Sequence, residues 1–230
     1  MQYLNVYQST IAFDQFLTKK FKNSKTIIDV GCGEGGTLSF YTKKYRHIKF
    51  YGIDYRSQNI NMSKKYFRKL KLTNNVKFKK VNILKKINDK DLKNPDGVIS
   101  QKTFCTFKEI KKPLGNLIKL KPSWIGLNSL FFEGEMDVLI HPRHRNINDR
   151  IYKDNDPDGD FNIFSITNLS RYLKTVNYKI SKIKPFFPNK RINKIGKIGT
   201  YTMKTELSDK TCFSGPIFLP WYFILIESSR

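Results

Sequence analysis

Short apolar runs alternate with amphipathic stretches along most of this chain. Residues 7–22 carry Ile11, Phe13, Phe16, Leu17 and Phe21 among Gln15, Lys19 and Lys20, a spacing that predicts a helix. Strands are predicted at Thr26–Val30, Ile48–Ile53, Val76–Val81, Gly97–Ser100 and Trp124–Leu130. Helices over Gly35–Arg46, Gln58–Leu72 and Glu109–Leu120 fall between them, and a further helix is predicted at Ile166–Val176. Strands at Lys179–Phe186 and Pro216–Glu227 complete the pattern. Alternation of this kind predicts an α/β fold, a doubly wound and mostly parallel sheet with helices on both faces. Segments 141–162 and 188–215 stand outside it and read as insertions near the functional edge. Within the second, Thr200–Thr205 and Thr211–Phe213 predict a hairpin around Ser208-Asp209.

Composition narrows the class. The 230 residues are enough to bury a core without staples, and 39% hydrophobic with 14% aromatic content excludes a disordered chain. Cys32, Cys105 and Cys212 form no C-x-x-C or Cys/His cluster, which argues against a disulfide scaffold or a zinc finger. The apolar run Pro216–Ile226 is too short to span a bilayer and the N-terminus has no secretory pattern, so a cytoplasmic protein without membrane contact is expected. The formal charge is +24, carried by 34 Lys and only 9 Arg. That profile, with 19 Asn and a lone Ala12, follows AT-rich codon usage. A phosphate-reading groove usually adds Arg, so weak, non-specific nucleic-acid binding is expected rather than a selected interface.

Ile27-Ile28-Asp29-Val30-Gly31-Cys32-Gly33-Glu34-Gly35-Gly36 is the most informative stretch. An apolar strand ends in close-set glycines and a helix begins, as required where backbone turns sharply against a ligand. Gly31, Gly33 and Gly36 also satisfy the dinucleotide spacing G-x-G-x-x-G. The carboxylates of Asp29 and Glu34 decide between ligands: they would repel a pyrophosphate and attract a cation. S-adenosylmethionine, with its ammonium and sulfonium groups and no phosphate, suits the loop better than NAD or FAD. Asp54 ends the second strand, placed to accept ribose hydroxyls. Asn82 and Ile83 end the third, where adenine would lie, and Ser100 and Gln101 fall at the carboxyl end of the fourth.

Asp29-x-Gly31-x-Gly33-x-Gly35 followed by Asp54, Asn82 and the strand and loop Asp96–Phe107 resembles the class I (seven-stranded, Rossmann-like) S-adenosylmethionine-dependent methyltransferases, over roughly residues 20–130. The resemblance implies S-adenosyl-L-methionine as cofactor. It assigns the methionine part to Asp29, Gly31, Gly33 and Gly35, ribose to Asp54, and adenine to Asn82 with Ile83. It also implies a final antiparallel strand, for which Pro216–Glu227 is the candidate. One domain over 1–230 is expected: an N-terminal helix in 1–22, a cofactor-binding core in 23–130, substrate-side insertions in 131–215 and the last strand in 216–230.

The C-terminal half is less specific. Asp156–Asn162 and Phe213–Pro216 resemble bacterial methyltransferases associated with sugars or secondary metabolites. The strand-four segment Ser100-Gln101-Lys102-Thr103 lacks the Asn/Asp-Pro-Pro-Tyr of enzymes that methylate adenine or glutamine nitrogens. No Pro-Cys pair marks a cytosine methylase, and Cys105 reads as packing. Asp154-x-Asp156-x-Asp158-Gly159 copies the opening of a calcium loop but has Ser165 at the twelfth position, so no metal is expected. His141-Pro142-Arg143-His144-Arg145 follows the apolar run Val138–Ile140. If that run is a sheet strand, His141, with His144 as its understudy, is the candidate base, and Arg143 and Arg145 the candidate anion clamp. The expected activity is methyl transfer to an oxygen, or failing that a nitrogen, of a small polar or anionic metabolite such as a sugar or nucleotide-linked glycan precursor. An RNA methyltransferase and a non-catalytic binding protein of the same fold are the alternatives. Neither the acceptor atom nor the oligomeric state is encoded in these motifs.

Overall fold

The structure, a computed structural model, describes residues 6–140, 161–193, 200–206, 208–214, 217 and 219–229. Five strands form the parallel part of the sheet: β1 (Thr26–Val30), β2 (Lys49–Asp54), β3 (Val76–Lys80), β4 (Gly97–Gln101) and β5 (Trp124–Ser129). Two-residue strands β6 (Phe131–Phe132) and β7 (Phe164–Ser165) pair with each other. They are followed by β8 (Tyr178–Phe186), β9 (Thr200–Met203), β10 (Thr211–Ser214) and β11 (Trp221–Ser228). The helices are α1 (Gln8–Lys22), α2 (Gly36–Lys44), α3 (Ser57–Lys69), α4 (Lys111–Ile118) and α5 (Ile166–Thr175).

The main sheet has seven strands in the order β3-β2-β1-β4-β5-β11-β8. The pairs β1–β2, β2–β3, β1–β4 and β4–β5 are parallel, while β11 runs antiparallel between β5 and β8. The doubly wound sheet and its late antiparallel strand thus follow the alternation in the sequence. The strand order reverses between β1 and β4, the place where open α/β sheets leave a crevice at their carboxyl ends. β9 and β10 form the expected hairpin.

Two apolar layers sandwich the sheet. One packs Phe13, Leu17 and Phe21 of α1 and Leu38 and Tyr41 of α2 against Ile27, Ile99 and Phe223; the other packs Leu114 and Leu117 of α4 and Leu169 and Leu173 of α5 against Ile28, Val98 and Leu127. The helical repeat decides which residues of α1 turn inward. Thr10, Phe13, Asp14, Leu17 and Phe21 share the buried face, whereas Ile11, expected there, is 41% exposed. Buried Asp14 accepts the Tyr45 hydroxyl at 2.7 Å and pairs with Lys44, which fastens α1 to α2.

Lysines line both sheet edges. Lys179, Lys182 and Lys184 lie exposed on β8, and Lys77 and Lys80 on β3, so part of the +24 charge guards edges against strand addition. The run Val138–Ile140 departs from expectation. It is not a strand of the main sheet: Val138 makes an isolated antiparallel bridge to Ile163, and Leu139 is exposed. Among the described residues, no helix is long and apolar enough to cross a membrane.

Candidate active site

The loop after β1 is built on glycine because its backbone turns left-handed three times, with φ of +69° at Gly31, +53° at Gly33 and +87° at Gly35. The three positions serve different ends. A Cβ at Gly31 would lie 2.1 Å from Thr103 Oγ1, so the first glycine lets the loop after β4 close against it. A Cβ at Gly33 would meet nothing within 4 Å, which leaves backbone facing open space. Gly35, expected to touch the cofactor, turns its open side to the Phe67 and Phe78 rings, and its amide donates to Cys32 O at 2.9 Å. Its side is occupied by helix–strand packing.

The tip of β2 holds this loop. Gly31 and Cys32 donate to Ile53 O at 2.8 and 3.1 Å, and Gly33 donates to Asp54 Oδ2 at 3.0 Å. Asp54 Oδ1 accepts from the Arg56 amide at 2.9 Å, so the carboxylate links the glycine loop to the start of α3. Asp54 also lines a cavity of about 240 Å³ at the switch point, together with Val30, Gly31, Ile53, Asn82, Ile83 and Phe107. Among the described residues its lining carries the Asp54 carboxylate and no cationic side chain.

Asp29 lies behind the loop, 2% exposed, and its Oδ2 has no hydrogen-bond partner. Burial first, and then the nearby Asp54 charge, push its pKa up to about 8. A buried carboxyl with an open acceptor beside a glycine cradle suits a cationic ligand.

The remaining expected site residues divide. Asn82 is exposed and its Oδ1 accepts the Leu84 amide at 2.9 Å, while Ile83 is buried against the cavity. The Ser100 hydroxyl donates to Val30 O at 2.9 Å and ties β4 to β1. Gln101 faces the α1–α2 side, where its amide donates to Tyr41 Oη at 3.3 Å. His141, Arg143, His144 and Arg145 lie outside the described residues, as does the acidic loop from Asp154 to Asp160. Both flanks of that segment are anchored. Buried Asn162 accepts the Ile140 amide at 3.0 Å, donates to Phe107 O at 2.7 Å, and sends its own amide to Cys105 O at 2.7 Å. Among the described residues no His, Cys, Asp and Glu cluster could hold a metal. Burial pushes the Cys105 thiol up to about 12 and the Cys212 thiol to about 11, so both stay protonated and unreactive.

A model described as a methyltransferase domain matches residues 21–176, more than half of the chain. The chain belongs to the methyltransferase domain family. With the family come the class I fold and S-adenosylmethionine as methyl donor, and the cradle offers open backbone at Gly33, the Asp54 carboxylate on the cavity wall and an unbonded Asp29 Oδ2.

Solved structures of this methyltransferase fold are similar at low identity. An O-methyltransferase from a trans-AT PKS multienzyme of Brevibacillus brevis, in complex with S-adenosyl-L-homocysteine, is 10% identical with a TM-score of 0.63, covering 96% of this chain and 72% of its own. The 1,6-didemethyltoxoflavin-N1-methyltransferase of Burkholderia thailandensis is 9% identical with a TM-score of 0.65, over 99% and 81% of the two chains. The [4+2]-cyclase SpnF is 12% identical with a TM-score of 0.63, over 96% and 81%. Likeness at this level shows the fold alone, and a cyclase among these neighbours makes the same point. No curated protein matches the sequence.

Sequence reasoning missed four residues at the carboxyl edge of the methyltransferase. Thr103 abuts Gly31, and Lys102 follows β4 in a left-handed backbone with φ of +59°. Asn128 and Trp221 are buried with unpartnered polar atoms. The available signal was Asn128 itself, a carboxamide inside a six-residue buried strand.

Proposed function

We propose that this methyltransferase transfers a methyl group to an oxygen of a small polar or anionic acceptor, in the cytoplasm. S-adenosylmethionine, when bound, supplies an electrophilic methyl on a sulfonium that loses its charge on in-line displacement. Asp29 faces the donor's ammonium, the Gly33 backbone gives it close approach beside Gly31, Asp54 accepts from ribose, and Ile83 with Asn82 flanks adenine. Displacement of this kind needs alignment above all, which these rigidly held groups supply. The segment 131–215 shapes the acceptor side of a single domain. Reduced, buried Cys32, Cys105 and Cys212 suit a reducing compartment.

The observation that carries the acceptor reading is the anchoring by Asn162. It ties Ile140 and its own backbone to the loop after β4, whose Phe107 lines the cavity, and so supports His141, the next residue, as a base at the carboxyl edge. An aliphatic hydroxyl is too weak an acid to attack unaided, and a positioned base contributes about 10²–10⁴-fold. His144 is its understudy, and Arg143 and Arg145 remain the proposed clamp for an acidic substituent. The test is incubation with methyl-¹³C-labelled donor and a panel of hydroxylated metabolites, followed by NMR of the products. An O-methyl carbon is expected, and His141→Gln is expected to lose turnover while keeping S-adenosylhomocysteine affinity. N-methyl products alone, or a tight donor site with no turnover on any acceptor, would overturn the reading.

A further inference from the structure

Lys102 is a cation beside the switch point that the donor site does not use. It follows β4 directly, and its backbone amide donates to Asn128 O at 2.7 Å. Its φ of +59° is a conformation that lysine adopts at a cost, held here by the strands on either side. The ammonium sits 5.0 Å from the Tyr7 ring centroid and 5.6 Å from that of Trp221. Among the described residues no carboxylate lies within ion-pair distance of it.

Two of its neighbours carry buried polar atoms without partners. Asn128 is 1% exposed with neither amide atom bonded, and Trp221 is 2% exposed with its indole Nε1 unbonded. Asn128 is paired with Gln101 across β4 and with Phe223 across β11, and Trp221 stands two residues before Phe223 on the same apolar face. The Lys102 ammonium thus lies against the Trp221 ring where β4 ends and β11 begins, and the Asn128 carboxamide stands near the end of β5 between those two strands. Each buried polar group left without a partner costs about 1–3 kcal/mol, so the unbonded Asn128 carboxamide and Trp221 indole beside an ammonium with no counter-ion among the described residues mark a place that a ligand completes. Burial also holds the Lys102 ammonium below the ordinary lysine range, which an anion would reverse.

We infer that Lys102, Trp221 and Asn128 form a subsite for a carboxylate on the methyl acceptor, the Tyr7 and Trp221 rings flanking the flat group that bears it. The donors match a planar oxyanion: the ammonium supplies charge, and the indole and amide N–H groups fix its plane. This deepens the acceptor reading above and rests on it, and it places the acceptor's anionic end on the α1 side, away from the adenine wall.

The two tryptophans of the chain make the test direct, because Trp124 Nε1 is already bonded to Ser24 Oγ at 3.2 Å and serves as an internal control. The ¹⁵N-labelled protein, saturated with S-adenosylhomocysteine, is titrated with benzoate and separately with benzamide. The indole signals are assigned from Trp221→Phe. Benzoate is expected to move the Trp221 N–H signal and leave that of Trp124 in place, benzamide to move neither, and Lys102→Met to weaken benzoate at least tenfold. A Trp221 signal indifferent to benzoate, or equally responsive to benzamide or in Lys102→Met, would overturn the subsite. Movement of the Gly33 amide on adding S-adenosylhomocysteine is read on the same sample, so failure of the donor site is distinguished from failure of the subsite. Should Lys102→Met unfold, Lys102→Gln under the same titration decides.

Discussion

The Asp54 carboxylate accepts the Gly33 amide at 3.0 Å, across 21 residues of chain, and the Arg56 amide at 2.9 Å. One side chain therefore sets the glycine loop and the mouth of the cavity together, which makes it the most exposed point of the donor site to mutation.

Asp54→Ala is expected to weaken S-adenosylhomocysteine binding by about 1.5–3 kcal/mol, the loss of charge-assisted hydrogen bonds. The Gly33 amide also loses its acceptor, so the melting temperature should fall too. Calorimetry beside a thermal melt separates the two effects, and unchanged affinity would remove Asp54 from the site.

The two glycines should part company on mutation. Gly31→Ala drives a methyl against Thr103 at 2.1 Å and is expected to cost stability, about 1–3 kcal/mol of overpacking added to the left-handed strain. Gly33→Ala meets open space, so only the strain, about 1–2 kcal/mol, should appear in the melt, while S-adenosylhomocysteine affinity drops at least tenfold. Equal effects of both on affinity and stability would contradict these assignments.

Asp29 gives a pH dependence of defined sign. Its carboxyl titrates at about 8 in the fold and at about 3.9 in an unfolded chain, so the folded state holds the extra proton between those values. Its contribution to stability is complete below pH 4 and declines as pH rises toward 8, by about 1.4 kcal/mol per unit. Denaturation of wild type against Asp29→Asn from pH 5 to 8 should show the variant free of that decline. A cationic ligand opposite Asp29 draws its proton off, so S-adenosylhomocysteine binding should release a proton near pH 7. Calorimetry in buffers of different ionisation heat measures it.

Binding of RNA is expected to be weak, indifferent to sequence and lost as salt rises, since lysines spread over edges give only a counterion term. The groove beside α3 illustrates this: Lys79 in it is already paired with Asp89 and Asp91. Sub-micromolar, sequence-selective binding at physiological salt would favour the RNA methyltransferase alternative.

The glycine loop and the strand tip that holds it were legible in sequence because they are written in backbone demands. Gly31 and Gly33 mark left-handed turns, and Asp54 ends a strand at a fixed place in a parallel sheet. The same logic failed where side-chain direction decides. Ile11 looks like core by composition, yet helical phase turns Thr10 and Asp14 inward, and Tyr45 and Lys44 satisfy the buried carboxylate. Val138–Ile140 reads as a strand by apolarity but forms a single bridge, its partners being Ile163 and Asn162 rather than the sheet. Lys102 carried no signal among 34 lysines; only the fold shows that Tyr7, from the start of the chain, and Trp221, from its end, meet over it.

The acidic glycine cradle holds S-adenosylmethionine and not a dinucleotide. Titration calorimetry of the wild-type chain with S-adenosylhomocysteine and, separately, with NAD tests it most directly. One site per chain for S-adenosylhomocysteine and no heat with NAD is the predicted result; binding of NAD without S-adenosylhomocysteine would make the cradle a dinucleotide site instead.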